Sequence, residues 1–153
     1  MAKRKLSITT AVVALVIIGT ALALTTYAAI TTSSTLTSTG TVSTSANLSV
    51  YSDSACTTPL STINWGTLTA GGNTTQTIYI KNTSSGVSLT LNMTANGWSP
   101  TSADGPVAIT WNQESTDLQP GQSVAATITL TVSPTEVGIT TFSVQINIDG
   151  TSP

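Results

Sequence analysis

From Asn47 to Ile148 apolar side chains recur at every second position, a spacing that a helix cannot gather onto one face. Leu48 and Val50 alternate with Asn47 and Ser49, and Val87, Leu89, Leu91 and Met93 with Ser88, Thr90 and Asn92. Val107, Ile109 and Trp111 alternate with Ala108 and Thr110. Val124, Ala126, Ile128, Leu130 and Val132 alternate with Ala125, Thr127, Thr129 and Thr131. Phe142, Val144, Ile146 and Ile148 alternate with Ser143, Gln145 and Asn147, and the shorter pieces Ile63–Trp65 and Gln76–Lys81 keep the same period. Seven strands result, each with one apolar face and one hydroxyl or amide face. Antiparallel sheets with one wet side have this pattern, and short strands between Gly, Pro and Asn turns predict an all-β, two-sheet sandwich. Ile128 and Leu130 are expected in its interior. Asn96 to Pro106 reads as a long loop.

One device occurs twice. Leu68-Thr69-Ala70-Gly71 leads into Ile78 and Ile80, and fifty residues later Leu118-Gln119-Pro120-Gly121 leads into Ile128 and Leu130. Each copy sets an apolar residue just before a turn whose glycine reaches positive φ without a steric penalty.

Only 7% of the 153 residues are charged, against roughly 25% in ordinary soluble domains. Ser, Thr and Asn take their place, and the long apolar alternation argues against disorder. After Lys3, Arg4 and Lys5 the chain has one base, Lys81, against six carboxylates, a balance of −5. Clustered Lys and Arg are what replace counterions on a polyanion, so the domain is expected to bind neither nucleic acid nor an anionic lipid surface.

Histidine is absent and Cys56 is the only cysteine. No His-based triad, imidazole metal site, thiolate cluster or internal disulfide can be built, and with no base to activate it Cys56 reads as a plain thiol. The carboxylates are scattered. Asp53 and Asp104 could each offer one oxygen to calcium, but no spaced ligand set surrounds them. Gly71-Gly72 has no Lys-Ser or Lys-Thr after it and is a turn, not a phosphate cradle. The chain is therefore expected to be non-enzymatic, without metal or cofactor.

Residues 1–30 read as an export device. A basic tip precedes 25 uncharged residues, Leu6 to Ile30, long enough as a helix to cross a hydrocarbon layer of roughly 30 Å. Basic residues stay on the cytoplasmic side, so the chain beyond Ile30 is expected outside the cell. Two outcomes are open: cleavage after the small-x-small sequence Thr26-Tyr27-Ala28 as a signal peptide, or retention as a transmembrane anchor. Residues 31–45 are nearly all Ser and Thr. They read as a linker, or as a donor strand whose Leu36 and Val42 plug another subunit from one strand face. The sandwich is expected over 46–150. Asn47, Asn73, Asn82 and Asn92 each begin an Asn-x-Ser/Thr sequon, as a glycoprotein's would. Trp65 and Trp111 are in phase with the core, while Trp98, in Asn96-Gly97-Trp98-Ser99-Pro100, is the aromatic placed for contact with a glycan.

Trp65-Gly66-x-Leu68-x-x-Gly71 with a strand closing in Lys81-Asn82-Thr83 resembles the immunoglobulin-like domains of the NEW3 and ASPM-SPD-2-Hydin type. So do Leu118-x-Pro120-Gly121-x-Ser123 with Ile128-Thr129-Leu130-Thr131-Val132, and Gly138 before Phe142-Ser143-Val144. The resemblance covers roughly 46–150. It implies a seven-stranded antiparallel immunoglobulin-like sandwich, a fold that serves adhesive, structural and enzyme-appended modules alike. A hydrophobic N-terminal helix, a Thr-rich strand and a small sandwich are also the layout of small archaeal surface and pilin-like proteins. Lys5 stands where type IV pilins carry Gly or Ala, so the chain departs from their processing pattern. The function expected is that of a cell-surface structural or adhesive subunit. Its partners are copies of itself or other surface proteins, its tether is the N-terminal helix, and filaments arise by donor-strand exchange. The alternative is an extracellular glycan-binding module.

Overall fold

The computed structural model describes residues 36–44, 47–135 and 138–153. The helix expected over 1–30, the start of the Ser/Thr-rich stretch, Ser45 and Glu136 lie outside the described residues. Among the described residues no helix is long and apolar enough to cross a membrane.

Nine strands form two sheets. They are β1 Leu36–Thr44, β2 Leu48–Tyr51, β3 Thr62–Leu68, β4 Asn73–Asn82, β5 Leu89–Ser99, β6 Val107–Trp111, β7 Asp117–Leu118, β8 Ser123–Val132 and β9 Thr141–Thr151. The larger sheet runs β3-β1-β9-β5-β7 and the smaller β2-β4-β8-β6. Alternation in the sequence becomes alternation in burial: in β8, Ala126, Ile128, Leu130 and Val132 are buried, and in β9, Phe142, Val144, Ile146 and Ile148. With Ile78, Ile80, Leu91 and Trp65 they form one core.

The two copies of the Leu-x-x-Gly device are halves of a pseudo-two-fold arrangement. β4 and β8 pair antiparallel with Thr77 opposite Thr127, residues fifty apart, so the register is centred on the repeat. The backbone hydrogen bonds are reciprocal. Gly71 N–H donates to Val132 C=O and Gly121 N–H to Asn82 C=O; Val132 N–H donates to Gly72 C=O and Asn82 N–H to Gln122 C=O. Flanking strands repeat the relation: Leu48 faces Asn82 and Val50 faces Ile80, as Val107 faces Val132 and Ile109 faces Leu130. In the larger sheet Leu36 faces Leu68 as Leu89 faces Leu118. Thus β1–β4 correspond to β5–β8, and β9 lies alone where the axis crosses the larger sheet. Flanks related by a two-fold run in opposite directions, so a strand between them is parallel to one and antiparallel to the other. β9 pairs parallel with β1 and antiparallel with β5.

Four expectations change. The strands number nine among the described residues rather than seven, because β1 and the two-residue β7 join the sheets, and one pairing is parallel in an otherwise antiparallel fold. The sandwich begins at Leu36 rather than at residue 46, since β1 hydrogen-bonds on both sides within it. Residues 96–99 belong to β5, not to a loop; Gly97, at φ 64°, lies in a break of register between Asn96 and Ser99 that the strand survives. Val87 precedes β5 and is exposed rather than part of its apolar face.

Candidate functional site

Leu36 and Val42, the two plugs expected of a donor strand, are buried in the chain's own core. The inward residues of β1 are Leu36, Ser38, Gly40 and Val42. The Ser38 hydroxyl is buried with no hydrogen-bond partner, and so is Nε1 of Trp65. A Cβ built on Gly40 would stand 3.1 Å from that same Nε1, so the small residue is what lets β1 lie over the indole. Native cores pair most such atoms.

The second feature is a groove between β5 and β6. It holds about 300 Å³ and is lined by Ala95, Trp98, Val107 and Ile109, with Asp104 and Gly105 at one end. A second hollow of about 280 Å³ joins it at Ala95, Trp98 and Asp104 and reaches Asn96, Gly97 and Thr101. Trp98 is half-buried, and its ring lies 5.8 Å from that of Phe142 with the planes tilted by 39°. Much of the indole is therefore committed to packing, and its remaining edge faces the groove. Trp65 is buried, as expected; Trp111, expected in the core, is only half-buried because its Nε1 donates to Glu114 Oε2 at 2.6 Å.

The four sequons separate. Asn47, Asn73 and Asn92 are exposed, at the turn before β2 and on the outer faces of β4 and β5. Asn82 is wholly buried and is corrected as a glycan acceptor. Its Nδ2 donates to the carbonyls of Val87 and Leu118, both at 2.8 Å, and its Oδ1 accepts from the backbone N–H of Ser84 at 2.9 Å. Both amide protons are used, so none is presented to a transferase. The side chain instead ties the end of β4 to the approach to β5 and to β7.

Asp53 is also accounted for locally. Its carboxylate accepts the N–H of Thr58 at 2.6 Å, the hydroxyl of Thr57 at 2.8 Å and the N–H of Thr57 at 3.1 Å. The Thr58 hydrogen bond leads in holding the carboxyl below its ordinary value of 3.8, while desolvation works the other way. Its oxygens close a loop rather than wait for a cation. Cys56, a free and half-buried thiol, sits in that loop at φ 54°. Among the described residues no three of His, Cys, Asp and Glu gather where they could hold a metal.

Comparison with known proteins finds no family and no curated protein that matches this chain.

Proposed function

We propose that this chain is an exported, non-enzymatic structural or adhesive subunit of the cell surface, and that copies join by exchanging β1. The observation that carries the reading is the position of β1. It is the first strand of the sandwich, yet it lies inside the larger sheet between β3 and β9. Only its C-terminal end continues into the rest of the described domain, so the same strand can be supplied to the slot by another chain. The same slot accepts the same strand from a neighbour, and a contact of that kind that does not close into a ring propagates as a filament.

The address rests on the sequence: a basic tip, 25 uncharged residues, and a domain almost without charge. Retained, the N-terminal run tethers the sandwich to the outer face of the membrane; cleaved, it releases it. Glycans at Asn47, Asn73 and Asn92 fit exposed positions of such a domain. The immunoglobulin-like resemblance supports the sandwich form and leaves the role to the surface it displays. Protease added to intact cells is expected to digest the sandwich while cytosolic markers survive. A sandwich recovered intact from the cytosol of protease-treated cells would contradict export.

A second reading, glycan binding, draws on the groove beside Trp98, where an aromatic edge, Asn96 and Asp104 converge. Retention on a glycan array that disappears with Trp98→Ala is the result it requires.

A further inference from the structure

The internal two-fold shows where the fold is incomplete. The place beside β5 corresponds to the place beside β1. On the β1 side β3 fills that place from Leu36 to Thr41. On the β5 side its counterpart β7 covers only Leu89 and Thr90. From Met93 to Ser99, β5 therefore ends the larger sheet with no described strand beside it.

Leu91 fixes which backbone groups face that side. Its N–H donates to Thr116 C=O and its C=O accepts from Ser115 N–H, both on the side away from β9. Orientation alternates along a strand, so Met93 and Ala95 present their N–H and C=O the same way. Glu114 Oε2 takes the Met93 N–H at 3.4 Å. The Met93 C=O and both backbone groups of Ala95 are left pointing outward. Beneath them, half-buried Ala95 and Trp98 face Ile109 of β6 across the groove of about 300 Å³, and half-buried Met93 packs against the core. Proteins usually guard such an edge with charge or proline. Met93–Ser99 contains neither.

We infer that this edge is an interaction surface, and that its occupant is the same edge of a second copy, antiparallel, with the two-fold through Ala95. Charge and length argue for this occupant. A two-fold contact sets each edge against itself, so any charge on it would meet its own kind. This stretch has none, in a domain whose balance beyond Lys5 is −5 and which repels an acidic partner. A basic strand would find Glu114 already holding Trp111 and Met93, and beyond it only Asp104 at the far end of the groove. Both edges lack a described strand over the same few residues, and on each the turn at Thr101–Ala103 packs against the end of β5, so pairing stops on each where it stops on the other. Ala95 exchanges two hydrogen bonds with Ala95 of the second copy. Thr94 then lies opposite Asn96, both neutral and both on the outer face. Two five-stranded sheets become one. This contact is separate from exchange of β1 and stands or falls without it.

The test uses the full chain carrying Cys56→Ser, in detergent if the N-terminal run is retained. One sample carries Thr94→Cys and another Asn96→Cys. In this register those positions form a pair that does not share hydrogen bonds, with Cα atoms about 4.5 Å apart, within disulfide reach. Mixing the two and oxidising is expected to give disulfide-linked dimer in excess of either sample alone. Ala95→Pro, which removes an N–H that no described strand of its own chain uses, is expected to abolish the dimer without loss of the folded sheet signal. Should that variant fail to fold, the cysteine pair decides alone. The proposal is overturned if the mixture cross-links no better than Thr94→Cys mixed with Thr110→Cys on β6. It is equally overturned if the Thr94→Cys thiol couples instead to Ser33→Cys, which would put the segment before β1 on the edge.

Discussion

A chain that starts at Asn47 is expected to lose its folded sandwich, and a peptide spanning residues 35–44 is expected to restore it. Without β1, the facing edges of β3 and β9 lose their shared partner, and two hydrogen-bond ladders go with it. Leu36, 3% exposed, and Val42, 8% exposed, leave the core. Burying each such side chain is worth ~1.5–3 kcal/mol, against a total stability of ~5–15 kcal/mol for a domain. The deletion therefore removes a large part of the total before the ladders are counted. The sequence alone, placing the sandwich over 46–150, leaves residues 31–45 as a linker or a donor strand that the fold itself does not need. The sheet order moves β1 from an appendage to an interior strand. Far-ultraviolet circular dichroism through a thermal ramp, with and without the peptide, checks the expectation. An unfolding midpoint unchanged by loss of β1 would contradict it.

The second large effect is expected at Asn82. Replacing it by Ala takes the amide from the carbonyls of Val87 and Leu118 and from the N–H of Ser84; the Leu118 bond is buried, the other two are part-buried, and the Val87 carbonyl keeps the Ser84 hydroxyl. A buried polar group left unsatisfied costs ~1–3 kcal/mol, so with one such group and two partly screened ones Asn82→Ala is expected to cost roughly 2–4 kcal/mol. Asn82→Asp, nearly the same shape, is expected to be no better, because it turns an acceptor toward two carbonyls. Asn73→Ala and Asn92→Ala remove exposed side chains of the same type, and each is expected to change stability by less than about 0.5 kcal/mol. Denaturant midpoints for the four variants measure the contrast. Equal small effects at all positions would show that the Asn82 amide is not what joins β4 to β7.

The period-2 pattern made the central strands legible, because a strand half-buried against a core has to alternate. β8 and β9 follow their apolar positions residue by residue. β1 was hard to read for a physical reason. Two of its four inward positions are Ser38 and Gly40, neither of them apolar, with Gly40 small enough to lie over Trp65, and the outward positions are Thr and Ser. The break at Gly97 hid the last part of β5, since Asn-Gly signals a turn more often than an irregular strand. Asn82 was misread because a sequon and a buried amide knot look alike in sequence; only the positions of Val87 and Leu118 in space tell them apart. The duplication was visible only where its offset stays at fifty, between Leu68 and Leu118 and between the strands after them. Leu36 and Leu89 lie 53 apart, and Leu48 and Val107 lie 59 apart, so no single period brings the other strands together. The bare edge of β5 follows from sheet order and could not be seen before it.

The central claim, that β1 passes between copies, is tested most directly by a cysteine pair across its own slot. Thr37 and Thr67 face each other on β1 and β3, and both are exposed. With Cys56→Ser, Thr37→Cys and Thr67→Cys in the same chain, oxidised on the surface of expressing cells, a strand kept at home closes a loop within one chain. A donated strand links one chain to the next. Non-reducing electrophoresis is expected to show a ladder of covalent multimers that collapses to monomer on reduction. Complete oxidation with monomer alone would place β1 in its own sandwich and contradict strand exchange.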